Sequence, residues 1–168
     1  MVDSFKFLPY SIGALYKMTE RKPAYPIPWA PLTKPLAECT FALVTTGGLY
    51  VKGVQEAFDE EGERQNPTWG DPTYRVIAAD TPLEQIGVSH LHINTANIEA
   101  DPNTVLPITH FQALAEAGEI GALAPDAYSF MGFQGLPYNT TEWEQTYGPE
   151  VIARMKAQNV DCVLLTPT

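Results

Sequence analysis

Two threonines followed by two glycines make up the first group of residues that could bind a ligand. A short apolar run from Phe41 ends in Thr45, Thr46, Gly47 and Gly48. Glycine lets backbone N–H groups approach a ligand closely, and a hydroxyl group can hold its carboxylate or phosphate. The spacing fits neither a P-loop nor a dinucleotide-binding motif. We therefore expect either a substrate-binding loop or a tight turn without a ligand.

Two of the three histidines, His90 and His92, form the second group. On a strand, residues two apart point to the same face, so this pair could ligate a metal, hold a carboxylate or serve only the structure. A metal site would need a carboxylate such as Asp101 to complete it, and we predict no metal. We expect a hydrogen-bonded pair lining a polar cleft, with Asp101 and Asn103 in support.

The cysteines give no sign of redox or metal chemistry. Cys39 and Cys162 are the only two, their spacing suits no disulfide framework, and neither belongs to a CxxC pair. Cys162 lies inside an apolar run, which favours a small buried hydrophobic residue. No Ser/His/Asp nucleophile set can be assembled by spacing, so these residues do not identify an enzyme by themselves.

The strands and helices that the apolar patterns predict must position these groups. The patterns predict strands over 41–45, 74–78, 88–93 and 160–165, and helices from Pro107 to Gly118 and from Thr141 to Asn159. Strands separated by helices favour an α/β fold with three layers and a mostly parallel sheet, Rossmann-like or flavodoxin-like. Ligands of such sheets gather outside the carboxyl ends of the strands, so the threonine–glycine segment and the histidines should share one cleft.

The first 38 residues differ from the rest in composition. Six of the 15 prolines lie there, interleaved with Tyr10, Tyr25 and Trp29. Proline fixes φ and removes a backbone donor, which excludes a long helix or a central strand. We interpret 1–38 as an extended proline- and aromatic-rich arm, and 39–168 as a single α/β domain. A disordered tail is the alternative for the arm.

Charge and hydropathy exclude several functions. The formal net charge of −10 repels phosphate backbones and anionic membranes, so we expect neither nucleic-acid nor membrane binding. No apolar run approaches the ~20 residues that span a bilayer, and the N-terminus lacks a signal-peptide pattern, so a cytoplasmic location is expected. The polar composition of residues 54–72 predicts a long solvated loop. The acidic run 56–63 within it is typical of a solvated face.

Several segments together resemble the selenoprotein B family of the glycine/betaine/sarcosine/D-proline reductases. No single motif is specific, but their order and spacing cover the chain from about residue 31 to its end. The segments are Val44–Tyr50 with Lys52-Gly53, Gly70–Ile77, Ser89–His92, Asp101–Asn103, Gly118–Ala124, Tyr128–Gly132 and Val160–Pro167.

The resemblance implies reductive cleavage of a C–N bond in an amino acid or an N-methylated amine, carried out with other reductase subunits. In the family a selenocysteine, sometimes replaced by cysteine, follows the stretch that ends in Thr-Pro-Thr, so it would stand just past Thr168. A selenol ionises more readily than a thiol and is a strong nucleophile at neutral pH. We expect no cofactor within this chain itself. His90 and His92 are then expected as proton donors or carboxylate holders, and 45–48 as the substrate-facing loop.

Within this interpretation we expect a product terminated at the selenocysteine codon and inactive as given, and a naturally short homologue is the alternative to that. The competing function is a non-catalytic ligand-binding or oligomerising α/β module. A metal-dependent enzyme that uses His90 and His92 ranks third. Under each interpretation we expect a homo-oligomer.

Overall fold

The computed structural model describes Tyr10, Ser11, Ala14 and residues 29–168. Residues 34–168 form one compact unit, which is described below. Most of the predicted arm, 1–38, lies outside the described residues. The arm and its boundary with the α/β domain therefore stay predictions.

Seven strands and four helices build the unit. The strands are β1 (Thr40–Thr45), β2 (Leu49–Val51), β3 (Tyr74–Ala78), β4 (Ile86–Val88), β5 (Ala122–Leu123), β6 (Asp126–Phe130) and β7 (Cys162–Thr166). The helices are α1 (Glu60–Gln65), α2 (Ala96–Ala100), α3 (Ile108–Glu116) and α4 (Gly148–Ala157), with a π-helical turn over Trp143–Tyr147 before α4. Among the described residues, no helix has the length and apolar character that crossing a bilayer requires.

A five-stranded mixed sheet forms the centre of the unit. Strand β1 pairs in parallel with β5, β6 and β7, whereas β3 lies antiparallel to β6. Strands β2 and β4 form a separate antiparallel pair. The predicted α/β fold is confirmed, and its Rossmann-like or flavodoxin-like topology stays a prediction.

Two hydrophobic clusters cover the two faces of the sheet. Successive strand residues point to opposite faces, so Ala42 and Leu43 of β1 belong to different clusters. Leu43 packs in the cluster that contains Ile108 of α3, and Ala42 packs in the cluster that contains Val151 and Met155 of α4. The core therefore fixes the positions of the strands, and the residues at their carboxyl ends can form a site.

The predicted third strand is shorter than expected. The pattern predicted a strand over 88–93, but β4 ends at Val88, and His90 and His92 lie in the turn that follows. Val88 pairs with Leu49, the first residue of β2, and no strand among residues 29–168 pairs with the segment beyond it. The premise that the two histidines share one face of a strand is wrong.

The acidic stretch also departs from its prediction as a solvated loop. It contains α1, whose first turn is capped by Asp59: the carboxylate accepts a hydrogen bond from the Gly62 N–H at 2.8 Å. Glu63 of this helix is buried, with 3% of its surface exposed. An acidic residue inside the unit needs a partner, and its partner lies in the turn after β4.

Strand β7 lies at one edge of the sheet. Among residues 29–168 it pairs with β1 alone, and the side chains of Val163 and Leu165 are 44% and 66% exposed. Beside Leu165, an apolar groove of about 340 Å³ is bounded by Val44 and Trp143. This edge carries exposed apolar surface on the α4 side of the sheet.

Candidate functional site

The threonine–glycine segment begins at the end of β1, where Thr45 is fully buried. Its hydroxyl donates to the Thr166 carbonyl at 3.2 Å and accepts from the Gly47 N–H at 3.0 Å. Both hydrogen bonds hold backbone, so Thr45 fixes the loop rather than presenting a free hydroxyl. Val105 supports the same loop, because a Cβ at Gly47 would lie 3.0 Å from its methyl group.

Thr46 lies where the carboxyl ends of β1 and β7 meet. Its Oγ1 accepts a hydrogen bond from the Thr168 N–H at 2.9 Å and lies 3.3 Å from the Thr168 hydroxyl. Gly132, just after β6, approaches the same point, since a Cβ there would lie 2.8 Å from the Thr168 carbonyl oxygen. Three parallel strands therefore end together, as the sequence predicted, although β7 is an edge strand.

Gly48 joins this loop to the segment that carries the histidines. Its φ of +68° is in the left-handed region, and a Cβ would clash with the carbonyl oxygen of Ser89. The Ser89 N–H donates to the Gly48 carbonyl at 2.9 Å, and the Gly48 N–H donates to the Phe130 carbonyl at 2.9 Å. The structure thus brings the loop and the start of the histidine segment into direct contact.

His90 is a buried, neutral histidine. Its side chain is 5% exposed, and Nδ1 accepts a hydrogen bond from the His92 backbone N–H at 3.1 Å. The neutral ring therefore carries its proton on Nε2, which finds no hydrogen-bond partner among the described residues. Burial lowers the pKa of His90 below its ordinary value, the neighbouring His92 lowers it further, and Glu60 opposes both.

His92 is the more accessible of the two histidines. Its side chain is 45% exposed, and its Nε2 lies 2.8 Å from Oε1 of the buried Glu63. The ring packs on Phe133 with 4.1 Å between the ring centroids. The two imidazole rings are 6.0 Å apart and nearly perpendicular. The site therefore combines one neutral histidine with one that is paired to a carboxylate.

Sequence reasoning missed the carboxylates of α1. Glu60 and Glu63 are three residues apart and so share a helix face, which is turned toward the segment from Ser89 to His92. Glu60 accepts a hydrogen bond from the Ser89 hydroxyl at 2.9 Å. The detectable signal was the capping residue Asp59 at the start of this acidic run, which predicts a helix start. The acidic run was instead interpreted as a solvated face.

Asp101 and Asn103 form a turn that supports the threonine–glycine segment. They form no hydrogen bond with the histidines. The Asp101 carboxylate accepts from the backbone and side-chain N–H groups of Asn103, both at 2.9 Å. Asn103 Oδ1 accepts from the Thr109 N–H at 3.1 Å, which ties this turn to α3. The same turn leads to Val105, which contacts the glycine loop. The structure therefore gives both residues a positioning contact.

An acidic cavity of about 1000 Å³ opens beside α1. We use this name for the space bounded by Tyr50, Phe58, Glu60, Asp71, Arg75 and Ser89. Arg75 compensates part of this charge, since its guanidinium lies 3.9 Å from the Asp71 carboxylate and also donates to the backbone carbonyls of Glu56 at 2.8 Å and Ala57 at 3.1 Å. Ser89 lines the cavity and immediately precedes His90. The lining favours a cationic ligand over an anionic one.

Neither cysteine is placed as a nucleophile. Burial raises the pKa of the Cys162 thiol, and a hydrogen bond with Cys39 raises it further, so Cys162 stays protonated at neutral pH. Cys39 is fully buried, with its sulfur 3.2 Å from the Pro35 carbonyl oxygen. Within the described part of the chain, no cluster of three or more His, Cys, Asp or Glu residues could hold a metal ion.

Comparison with known proteins finds a family model that covers most of the chain. The family model described as glycine/sarcosine/betaine reductase selenoprotein B matches residues 14–168. The D-proline reductase subunit gamma of Acetoanaerobium sticklandii is 34% identical over 138 residues, which cover 82% of this chain and 52% of that protein. No solved structure matches the chain.

Two further relatives are components of related complexes. The betaine reductase complex component B subunit beta of Peptoclostridium acidaminophilum is 31% identical over 141 residues, covering 80% of this chain and 29% of that protein. The glycine reductase complex component B subunit gamma of Carboxydothermus hydrogenoformans is 26% identical over 142 residues, covering 84% of this chain and 31% of that protein. The chain thus spans about half or less of the length of the relatives it matches.

Proposed function

The chain belongs to the glycine/sarcosine/betaine reductase selenoprotein B family, and on that premise we propose that it takes part in reductive C–N cleavage of an amino acid or N-methylated amine. The family match carries this proposal. The relatives are named as subunits of D-proline, betaine and glycine reductases, so we propose that this chain also works with other reductase subunits, in the cytoplasm.

The chemistry of the site supports an amine substrate. Glu60 and Asp71 are paired with Arg64 and Arg75, but carboxylates outnumber the one arginine among the described residues that line the acidic cavity, so a substrate ammonium group would be attracted there. The Gly47 N–H donates to the Thr45 hydroxyl and the Gly48 N–H to the Phe130 carbonyl, so this loop would shape the wall of the site rather than bind a substrate carboxylate through these two groups.

We propose that His90 and His92 handle the proton that the reaction needs. When the C–N bond of an ammonium substrate is cleaved reductively, the nitrogen leaves as a neutral amine with the bonding electrons, and the carbon takes up an electron pair and one proton. The electron pair would come from a selenol or a dithiol reductant. Among the two histidines, the accessible His92 is suited to proton donation and the neutral, buried His90 to hydrogen bonding.

The family resemblance implies that the selenocysteine would follow Thr168. That residue would stand at the carboxyl ends of β1 and β7, beside the Thr46 hydroxyl that accepts from the Thr168 N–H. A selenol at this place would supply the nucleophile or electron donor for cleavage. Thr46 would then orient the backbone that precedes it.

The test of the proposed activity is expression of the full reading frame with partner subunits in a host that decodes selenocysteine. Glycine, sarcosine, betaine and D-proline are then offered with a dithiol reductant. We expect release of the amine, or opening of the proline ring, in proportion to dithiol oxidised. Failure to turn over any of the four would contradict the reductase proposal.

Substrate binding can be followed on the 168-residue chain itself. In an NMR titration with betaine and glycine, we expect the amide signals of Ser89 and Tyr50 to shift. Glu60→Gln should weaken binding, because it removes one carboxylate from the cavity lining. Glu119→Gln, away from the cavity, is the matched control. Equal binding by both variants would place the ammonium group elsewhere.

A non-catalytic assembly role is the second candidate, and the exposed edge of β7 favours it. Val163 and Leu165 expose apolar surface beside the groove at Trp143. An unpaired strand edge of this kind can pair with another chain. Light scattering of the purified chain tests the expected homo-oligomer: a monomer across the accessible concentration range would contradict it.

A further inference from the structure

Glu63 is a carboxylate inside the protein, with 3% of its surface exposed. Burying a carboxylate costs free energy unless a hydrogen-bond or charge partner compensates for lost water. The side-chain partner of Glu63 is Nε2 of His92, at 2.8 Å. The pair joins α1 to a turn that lies 29 residues further along the chain. The fold therefore places the Glu63 carboxylate beside Nε2 of His92.

Three contacts fix the orientation of His92. Glu63 engages Nε2, Phe133 stacks on the ring at a centroid distance of 4.1 Å, and the backbone N–H donates to His90 Nδ1 at 3.1 Å. Within residues 29–168 no hydrogen bond engages Nδ1 of His92, and the side chain is 45% exposed. The ring is therefore held on one side and open on the other.

The neighbouring carboxylates have other roles. Glu60 accepts from the Ser89 hydroxyl at 2.9 Å, and the exposed Glu61 accepts from the Gln65 side-chain amide at 2.8 Å. Neither is in hydrogen-bond contact with an imidazole. Among the carboxylates of α1, the pairing with His92 belongs to Glu63.

We infer that Glu63 is a positioning residue that holds His92 as a proton donor, with Nδ1 facing the open side of the site. The carboxylate accepts the Nε2–H, so the protonated ring has Nδ1–H left to donate. This inference rests on the proposed function only for the proton's destination, the carbon that loses its amine. As the C–N bond breaks, the nitrogen leaves as a neutral amine, and the carbon takes an electron pair from the reductant and the proton from Nδ1. His92 then becomes a neutral imidazole whose Nε2–H remains bonded to Glu63.

The test uses Glu63→Gln, with Glu61→Gln as a matched control on the exposed face of the same helix. The first readout is the NMR signal of the imidazole N–H that is bonded to the carboxylate, in protein carrying ¹⁵N-labelled histidine. We expect a downfield, slowly exchanging proton on His92 Nε2 in wild type and Glu61→Gln. In Glu63→Gln this signal should move upfield or vanish, because the charge-assisted hydrogen bond is gone.

The second readout is the rate at which diethyl pyrocarbonate modifies His92, followed by mass spectrometry at neutral pH. The reagent needs an imidazole nitrogen that is free to react, so weakening the hydrogen bond to Nε2 should raise the rate by roughly tenfold in Glu63→Gln and leave it unchanged in Glu61→Gln. A purely structural role for Glu63 would lower the melting temperature without this change. If Glu63→Gln does not fold, Glu63→Asp keeps the charge but shortens its reach, and should weaken the downfield signal.

An unchanged His92 signal and an unchanged modification rate in a folded variant would overturn the inference. Its failure is distinguishable from failure of the proposed function. If Glu63 governs His92 but the assembled reductase turns over no substrate, the proposed reaction is wrong and the pairing stands. If turnover is found and Glu63→Gln leaves kcat unaffected, the reaction stands and the positioning role is wrong.

Discussion

At residue 48 the backbone conformation and the neighbouring carbonyl both exclude a side chain. Gly48 has φ +68° and a Cβ would clash with the Ser89 carbonyl, whereas Gly53 has φ +73° and nothing within 4 Å. We expect Gly53→Ala to cost about 1 kcal/mol, from the left-handed backbone alone. Gly48→Ala should cost about 3 kcal/mol or more, since the loop must also move away from Ser89. Urea unfolding of both variants measures this; equal losses would mean that the contact with Ser89 is not tight.

His90 makes the protein sensitive to acid. Burial lowers the pKa of its imidazole below the ordinary value of 6.5, and His92 lowers it further. Below about pH 6.5 His90 binds a proton in the unfolded chain but stays neutral in the folded protein. The free energy of unfolding therefore falls as the pH falls. His90→Gln should flatten this part of the profile, measured by urea unfolding between about pH 7 and about pH 5. His110→Gln, exposed on α3, is the control, and an equal flattening there would contradict the assignment.

At the scale of elements, α1 depends on its cap. Six residues are too few for a helix to be stable in isolation, and the Asp59 carboxylate satisfies the Gly62 N–H at 2.8 Å. Asp59→Ala should cost about 1 kcal/mol, whereas Asp59→Ser retains a capping oxygen and should cost less. Thermal unfolding gives the loss. Because α1 carries Glu63, the alanine variant should also weaken the downfield His92 signal. A stable alanine variant with an unaltered signal would show that packing alone holds the helix.

Strand β7 offers a second comparison within one element. Leu164 packs against the core cluster on the α3 side, while Leu165 points to the other face and is 66% exposed. We expect Leu164→Ala to cost about 2 kcal/mol and Leu165→Ala less than about 0.5 kcal/mol. Chemical denaturation of both variants distinguishes the two faces. A large loss for Leu165→Ala would mean that a further segment or another chain covers this face.

Local chemistry explains which elements the sequence predicted. The strand over 74–78 follows from its apolar pattern, and the helix that opens at Pro107 ends before Gly118, whose φ of +71° suits a helix cap. The end of β4 is different, because it depends on β2, whose first residue is Leu49. A pattern of apolar residues does not show where a partner strand stops.

The same distinction applies to the site. The threonine–glycine loop and the histidines were predicted from residue types that serve binding and proton transfer. The burial of Glu63 was not predicted, because it depends on His92, far along the chain, and an acidic run is usually solvated. Pairing across such a distance requires the fold as well as the sequence.

At the scale of the whole molecule, alkaline pH should remove stability through Tyr128. The residue is fully buried between the sheet and α4, and burial, with Asp126 adding to it, raises the pKa of its phenol from 10.0 to about 12. Between these values the unfolded chain loses its proton while the folded protein keeps it, so the free energy of unfolding falls as the pH rises. The loss is about 3 kcal/mol in total.

Tyr128→Phe should remove this loss, because the phenylalanine has no proton to titrate. Guanidinium unfolding at about pH 9 and about pH 11.5 measures the difference for both proteins. Other tyrosines titrate in the same range, and Tyr10→Phe is the control because Tyr10 is 93% exposed. An equal slope in wild type and Tyr128→Phe would contradict the assignment to Tyr128.

The edge at β7 has a practical meaning for the molecule in solution. Its row of backbone N–H and C=O groups is a template for strand addition, and Val163 and Leu165 add exposed apolar surface there. The net charge of −10 works against this by mutual repulsion between molecules. Salt screens that repulsion but leaves hydrophobic contact intact. Association of the protein in solution should therefore depend on a balance between the apolar edge at β7 and the repulsion of the charged surface. The protein should stay dispersed at low ionic strength and associate as the ionic strength rises.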